Sequence, residues 1–368
     1  YYPERAVPRC STCHMPLQAS DDPAARDFDD SGTRHVHSHQ FPGANTGVAH
    51  MVGLPESVIE AHRERLTGVT RVDIFGIKED GHINGRLHAP LRPKLPALEP
   101  GKTYLLEIVV RTTGVGHHLT QGTSDSNQLW LDVTATAGER IIGRSGARDE
   151  TGRVDPWSYF LNSYVLDRNG NRIDRRNGQD IFVPLYNHQI PPGAATVVHY
   201  LLDVPGDIRE PVVIEAHLNY RKFDTTYLQH MQGDDFTVND LPITTMASDR
   251  IELPVGRGRG DMSFELHPVA ENERWNDYGI GLLRKSGRGQ LRQAEEAFGR
   301  VGELGRPDGA LNRARVYLRE GRLADAERAY LEILGENPDS GSVLNALGTV
   351  FLDQSQPDQA KTVFEKAA

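Results

Sequence analysis

Between residues 101 and 253 short apolar, β-branched runs alternate with turn-forming residues. The runs at 104–110, 129–135, 159–166, 180–185, 196–202 and 212–220 each have the length and composition of a strand. Turn signals lie between them, at Asp167-Arg168-Asn169-Gly170-Asn171 and at Pro191-Pro192-Gly193. Several strands at this spacing predict an antiparallel β-sandwich over 101–253. The Asp167 segment also opens like a calcium loop, but the remainder of that loop, including its distant bidentate Glu, does not follow, so a hairpin turn is expected.

Residues 270–368 change to a helical pattern that repeats. Ala314 and Gly348, Tyr317 and Phe351, Ala326 and Ala360, and Tyr330 and Phe364 are each 34 residues apart. Gly321 and Pro338 fall where turns within and between such repeats belong. An earlier copy runs from Trp275 through Gly279, Ala294 and Phe298, with extra residues at 286–289. This is the tetratricopeptide (TPR) period, and it predicts a solenoid of about three helix pairs. One pair cannot bury its apolar face alone; stacking pairs buries a continuous seam. An ordinary helical bundle would not place several small and aromatic residues at one common offset. The last repeat ends at Ala368 without a polar capping helix, so a truncation or a covering neighbour is expected there.

Residues 1–100 show little periodicity and are rich in Pro, Gly, Asp and His. Such a composition packs a core poorly, although a large apolar prosthetic group can substitute for one. One helix is predicted over 55–66, with Pro55 at its start and Gly68 beyond its end. The whole chain of 368 residues suggests two or three domains. Its net charge of −10 argues against a nucleic-acid partner. No run of apolar residues is long enough to span a membrane, and the start at Tyr1-Tyr2-Pro3-Glu4-Arg5 is not a signal peptide; the chain reads as a processed product or fragment.

The strongest chemical signal is Cys10-Ser11-Thr12-Cys13-His14, a C-x-x-C-H pentapeptide that contains both cysteines of the chain. That spacing suits covalent c-type haem attachment. Two thiols a fixed few residues apart can add to the two vinyl groups of one porphyrin, and the next His becomes the proximal iron ligand. A thioredoxin-like disulfide would want a strand before the pair and a helix after it, but Pro3, Pro8 and Pro16 crowd the motif and no apolar strand precedes it. A zinc site would need a second donor pair, which His35, His37 and His39 could supply. A structural disulfide would close too small a loop to stabilise much. The fold class expected is therefore α+β and multidomain. It comprises a loop-rich haem c segment (1–100), an antiparallel β-sandwich (101–253) and a C-terminal TPR solenoid (270–368).

A low-spin haem wants a second axial ligand, usually His or Met. Met15 adjoins His14 and cannot reach the opposite face. The loop from His14 to the cluster His35, His37 and His39 is long enough to cross a haem edge. In an extended segment these three side chains point the same way. Glycines around His117 and His118 allow a flat group to approach, so His117 is a further candidate, although an ordinary loop is slightly favoured there. His188 and His199 lie in or beside strand-like runs and are expected to be structural.

Taken together, these residues resemble the extracytoplasmic multihaem c-type cytochromes that carry a β-domain and a C-terminal TPR array. The resemblance rests on four segments. These are Cys10 to Pro16; Ser38-His39-Gln40-Phe41-Pro42-Gly43-Ala44-Asn45-Thr46; Gly116 to Ser126; and Arg175 to Gly193. It implies that His39 is the distal ligand, ahead of His37, His35 and His117. It also implies an extracytoplasmic location of bacterial type, periplasmic or extracellular. Members usually hold several C-x-x-C-H motifs, so further haems are expected from missing sequence or another chain. Thr120 stands where the third segment often has Pro. The function expected is electron transfer through a covalent haem c, more an electron carrier than a catalyst. The TPR repeats would dock a redox partner or another haem-bearing chain. Two alternatives stand beside it: a haem enzyme with an open iron position, and a structural protein forming homo-oligomers or filaments.

Overall fold

The computed structural model describes residues 9–122, 125–256, 262–263 and 266–367. Tyr1 to Pro8, with the prolines at 3 and 8, Thr123 and Ser124 of the glycine-flanked loop, and the last residue Ala368 lie outside the described residues.

In chain order the elements begin with α1 (Cys10–His14), β1 (Leu17–Ala19), β2 (His35–His37), α2 (Thr46–Met51), α3 (Glu56–Leu66), β3 (Thr70–Glu79), β4 (Leu87–His88), β5 (Lys94–Leu95) and β6 (Thr103–Thr112). They continue with β7 (Gln128–Ala137), β8 (Arg140–Ser145), β9 (Tyr159–Phe160), β10 (Ser163–Leu166), β11 (Val183–Asn187), β12 (Ala195–Asp203), β13 (Val212–Arg221), α4 (Thr225–Gln232), β14 (Thr244–Leu253) and β15 (Met262–Ser263). Six helices close the chain: α5 (Glu271–Lys285), α6 (Arg288–Glu303), α7 (Asp308–Glu320), α8 (Leu323–Glu336), α9 (Gly341–Asp353) and α10 (Pro357–Ala367). The fold is thus mixed α and β, with several antiparallel sheets and a helical C-terminal stretch. Among the described residues no sheet closes into a barrel, and no helix is long and apolar enough to cross a membrane.

The chain forms two compact units that interleave along the sequence. The first takes Tyr1–Asp73, Arg111–Gly193 and Val212–Glu252; the second takes Ile74–Val110, Ala194–Pro211 and Leu253–Ala368. In the first, a sheet of order β14-β13-β7-β8 carries β9 on β7. Its centre is the antiparallel pair β7–β13, which runs without a break from Val212 against Ala137 to Arg221 against Gln128. Trp130 is fully buried at this centre, and its indole N–H donates to the Gly146 carbonyl at 3.2 Å. A buried indole needs such a partner for its one polar atom.

The run at 159–166 does not make one strand. It splits at Leu161-Asn162: Tyr159 and Phe160 pair with β7, whereas β10 pairs with β11. The break keeps its hydrogen bonds, because Leu161 N–H donates to Leu129 and Asn162 accepts from His188 N–H. The β10–β11 ribbon shifts register beside Pro184, which has no N–H for the ladder. The turn at Asp167 forms as expected, its carboxylate accepting from the backbone N–H of Asn169 and Asn171 at 2.8 Å each.

The second unit holds a sheet of order β12-β6-β3-β4 and the six helices. No strand is expected from the sequence before residue 100, yet β3 is among the most buried of all. Asp73 and Gly76 interrupt its apolar run, and it is covered on both faces, so the alternation that marks a half-exposed strand is missing. Each helix from α6 onward packs on the one before it. A Cβ added to Gly279 would meet the Phe298 ring at 2.6 Å, and one on Gly348 would overlap the Phe364 ring. The small residue of one helix therefore receives the aromatic ring of the next. Ala314 and Tyr330 share a buried cluster at the corresponding positions. Phe75 of β3 stacks on Tyr278 of α5 with centroids 4.4 Å apart, which ties the first helix to the sheet.

Candidate functional site

The pentapeptide forms the one-turn helix α1. Helical spacing puts residues three and four apart on one side, so Cys10, Cys13 and His14 share a face. Neither cysteine is in a disulfide; Cys10 is exposed and Cys13 half-buried. Among the described residues neither joins any group of three or more His, Cys, Asp or Glu donors gathered within 4.8 Å. A structural zinc needs four converging donors, and the pair has no such company.

His14 is half-buried, and its Nδ1 lies 3.1 Å from the Pro42 carbonyl oxygen. A carbonyl can only accept, so Nδ1 carries the proton and Nε2 keeps its lone pair. His117, on the exposed loop after β6, repeats the arrangement: its Nδ1 lies 3.0 Å from the His118 carbonyl oxygen. Metal-binding imidazoles usually have this tether, with one nitrogen on a carbonyl and the other free to ligate. The two rings lie 6.2 Å apart between centroids and only 9° from parallel. The donor set, two thiols and two tethered imidazoles, fits a covalently held haem by its chemistry.

The other candidates differ in their surroundings. His35 and His37 lie on β2, which pairs with β1 from Leu17 against His37 to Ala19 against His35. His37 Nδ1 donates to the Met15 carbonyl at 2.7 Å, and its ring meets Phe28 edge-on. It is thus a third tethered imidazole close behind the pentapeptide. His35 has a buried Nδ1 with no hydrogen-bond partner. His39 lies beyond the strand, exposed, with its ring edge-on to Phe41 at 6.0 Å. The structure thus brings His117 to His14, and leaves His35, His37 and His39 around the β1–β2 hairpin.

His188 is sandwiched between Tyr159 and Tyr186 at 4.8 and 4.4 Å. His199 belongs to a buried charge cluster in the second unit. There Lys78 Nζ lies 2.6 Å from Glu107 Oε1, and His199 Nε2 lies 3.4 Å from the same oxygen. Burial, helped by the Lys285 and Lys78 charges, lowers the His199 pKa to about 3. A neutral, buried imidazole of this kind is structural.

Sequence reasoning passed over two residues beside the site, His62 and Tyr220. His62 is buried on α3, with Nδ1 2.9 Å from both the backbone N and O of Gly43. Tyr220 is buried on β13 and donates its hydroxyl to the Ala44 carbonyl at 2.6 Å. Burial pushes that phenol well above its usual pKa, so it stays a donor. Their patterns are those of an ordinary helix and strand, which is why neither stood out.

No protein-family model and no curated protein matches this chain. Among solved structures, it is similar to a penta-heme cytochrome c552 from Thermochromatium tepidum, at 14% identity and a TM-score of 0.39, covering 66% of this chain and 47% of that one. It is also similar to a multi-domain immunophilin from Arabidopsis thaliana, at 11% identity and a TM-score of 0.21, covering 76% and 98% of the two chains. The chain spans about half the length of that cytochrome. Likeness at these TM-scores fixes neither fold nor function, so the reading below rests on the residues.

Proposed function

We propose that this chain is a c-type cytochrome that passes single electrons through one covalently held haem. Cys10 and Cys13 form the thioethers, His14 is the proximal ligand and His117 the distal one. The observation that carries the reading is the near-parallel, 6.2 Å pairing of His14 and His117, each tethered through Nδ1, beside the unpaired cysteines. When bound, such a haem supplies reversible one-electron chemistry. The chain's part would be to tether each ring through Nδ1, to the Pro42 and His118 carbonyls, so that Nε2 is the nitrogen left for the iron. With His14 and His117 both holding the haem, carriage would be favoured over catalysis on a small ligand.

His37, tethered to the Met15 carbonyl, is the candidate ligand for a further haem brought by missing sequence or another chain. Covalent haem attachment places the protein outside the cytoplasm, in the periplasm or beyond. The helices α5–α10 form a TPR array that docks a protein partner.

The test is a mass spectrum of the peptide holding Cys10 and Cys13, together with visible spectra of the purified protein. A covalent haem and a low-spin spectrum are expected. His117→Ala should give a high-spin iron that binds added imidazole, whereas His39→Ala should leave the spectrum unchanged. The opposite pattern would transfer the distal role to His39. A peptide without haem would remove the reading altogether.

One observation favours assembly as a second role. Ile181, Phe182, Val183 and Leu185, in and just before β11, expose large apolar side chains, Phe182 and Leu185 by more than 60%. Patches of this kind mark protein–protein contacts. Light scattering of Phe182→Asp checks it: a particle that shrinks supports assembly, and an unchanged monomer excludes it.

A further inference from the structure

We infer that His62 and Tyr220 are positioning residues, a buried clamp that holds the Pro42 carbonyl on His14 and thereby tunes the iron ligand. The inference rests on the cytochrome reading above but concerns groups that touch neither thiol nor iron.

The turn from Phe41 to Asn45 carries the Pro42 carbonyl that meets His14. Phe41 has a positive φ of 47°, an unusual conformation for a side chain of this size. The turn is exposed at Phe41 and Asn45 and buried at Pro42, and its carbonyls are met by side chains from outside it. Three consecutive residues are gripped by rings. His14 takes the Pro42 oxygen, His62 takes the Gly43 backbone, and Tyr220 takes the Ala44 oxygen. The two outer partners come from regular elements, α3 and β13, and are only 6% and 1% exposed. Gly43 also packs beside the ring: a Cβ there would lie 3.6 Å from the Nδ1 and Cε1 atoms of His14, in ordinary van der Waals contact. A little further on, a Cβ on Gly47 would meet the Lys222 side chain at 2.7 Å, so the segment also lies close against the residue that follows β13.

The geometry at His62 has a further feature. Its Nδ1 stands at 2.9 Å from a donor, the Gly43 N–H, and from an acceptor, the Gly43 carbonyl. One nitrogen serves only one of them at a time, yet either protonation state of that nitrogen finds a partner on the same residue. The grip on Gly43 therefore persists whichever tautomer the ring takes.

The consequence follows from how a second partner acts on a metal-bound imidazole. A firm Nδ1–H···O=C bond makes the ring more basic, and a more basic ligand favours the oxidised iron. Loosening the Pro42 carbonyl weakens that bond and shifts the equilibrium toward reduced iron. Two variants separate the links. His62→Leu removes the grip on Gly43, and Tyr220→Phe removes one hydroxyl while keeping the ring packed. His62→Asn restores a polar group near the Nδ1 position.

The experiment is a redox titration of the haem-loaded protein, with nitrogen-15 NMR of the His14 side chain. His62→Leu should stay low-spin while its reduction equilibrium shifts threefold to tenfold toward the reduced form, about 28 to 59 mV for one electron. Tyr220→Phe should move it the same way by less, and His62→Asn should return most of the shift. The His14 Nδ1 proton should exchange faster in His62→Leu and in Tyr220→Phe. An unchanged potential and unchanged Nδ1 exchange in both variants would overturn the clamp. The same NMR readout works on chain lacking haem, where the proton on Nδ1 is set by the Pro42 carbonyl alone. Should the wild-type chain carry no haem, the cytochrome reading fails, while the clamp stands or falls on His14 Nδ1 exchange in His62→Leu and Tyr220→Phe.

Discussion

The segment that carries the cysteines and the sheet-and-helix unit solve opposite problems. Among the described residues up to 55, the buried apolar side chains are the small ones of Ala25, Pro42 and Ala49. Order there comes from ring groups hydrogen-bonded to backbone carbonyls and from Asx loops, such as Asp27 accepting from the Gly32 N–H at 2.7 Å. The second unit is held by large side chains with almost no exposure: Phe75, Tyr278, Phe298 and Tyr330. It can even bury a charge pair, Lys78 with Glu107, because opposite charges there meet each other. A segment held by polar tethers presents lone pairs and thiols to a ligand. A unit held by packing turns its large side chains inward instead.

The largest effect should come from breaking the first region's chemistry. Cys13→Ser is expected to abolish covalent haem attachment. Hydrogen exchange over 9–55 should then rise steeply, while 271–367 keeps its protection. Equal protection of 9–55 with and without haem would show that this segment needs no prosthetic group to order it.

Next is the packing of the array. Phe298→Ala empties the slot against Gly279 and should cost about 3–5 kcal/mol in urea unfolding followed by helical signal. The haem spectrum of that variant should not change. A spectral change would mean that the two regions are less independent than their different bonding suggests.

The buried pair gives a comparable loss with a sharper control. Lys78→Met should destabilise by about 3 kcal/mol, because it removes the ammonium group closest to the buried Glu107 carboxylate. Lys78→Met combined with Glu107→Leu should recover most of it. If the double variant is worse than the single, the pair contributes net stability of its own.

The smallest effect is one of pH. The His199 pKa falls from 6.5 to about 3 on folding, so the unfolded chain binds the extra proton. Stability from this group is complete above pH 6.5 and is lost as pH falls from 6.5 toward 3. His199→Gln should flatten the acid limb of the stability curve in that window. An unchanged limb would assign the acid sensitivity to other groups.

These regions were also legible to different degrees. The helix at 55–66 is there as α3, and the runs at 104–110, 129–135, 196–202 and 212–220 lie within β6, β7, β12 and β13. The 34-residue offsets return as ring-into-small-residue contacts along the helices. Local pattern suffices for these because periodicity and side-chain size are written residue by residue. Strand β3 was hidden, because burial on both faces erases alternation. The splitting of 159–166 was hidden too, because two different partners, β7 and β11, take its halves.

For the site, the sequence by itself determined that two thiols and an imidazole stand together in one pentapeptide. The spacing of Cys10, Cys13 and His14 is local, so it is read directly from the chain. It also determined that several histidines competed to stand opposite. Only the tertiary structure decided which ring lies parallel to His14, because His117 comes from a distant loop and its approach depends on where β6 ends. The tertiary structure alone also decided that His62 and Tyr220 close on the turn behind His14. Hydrogen bonds between residues far apart in sequence leave no periodic trace; they exist only once the chain has folded and the distances are set.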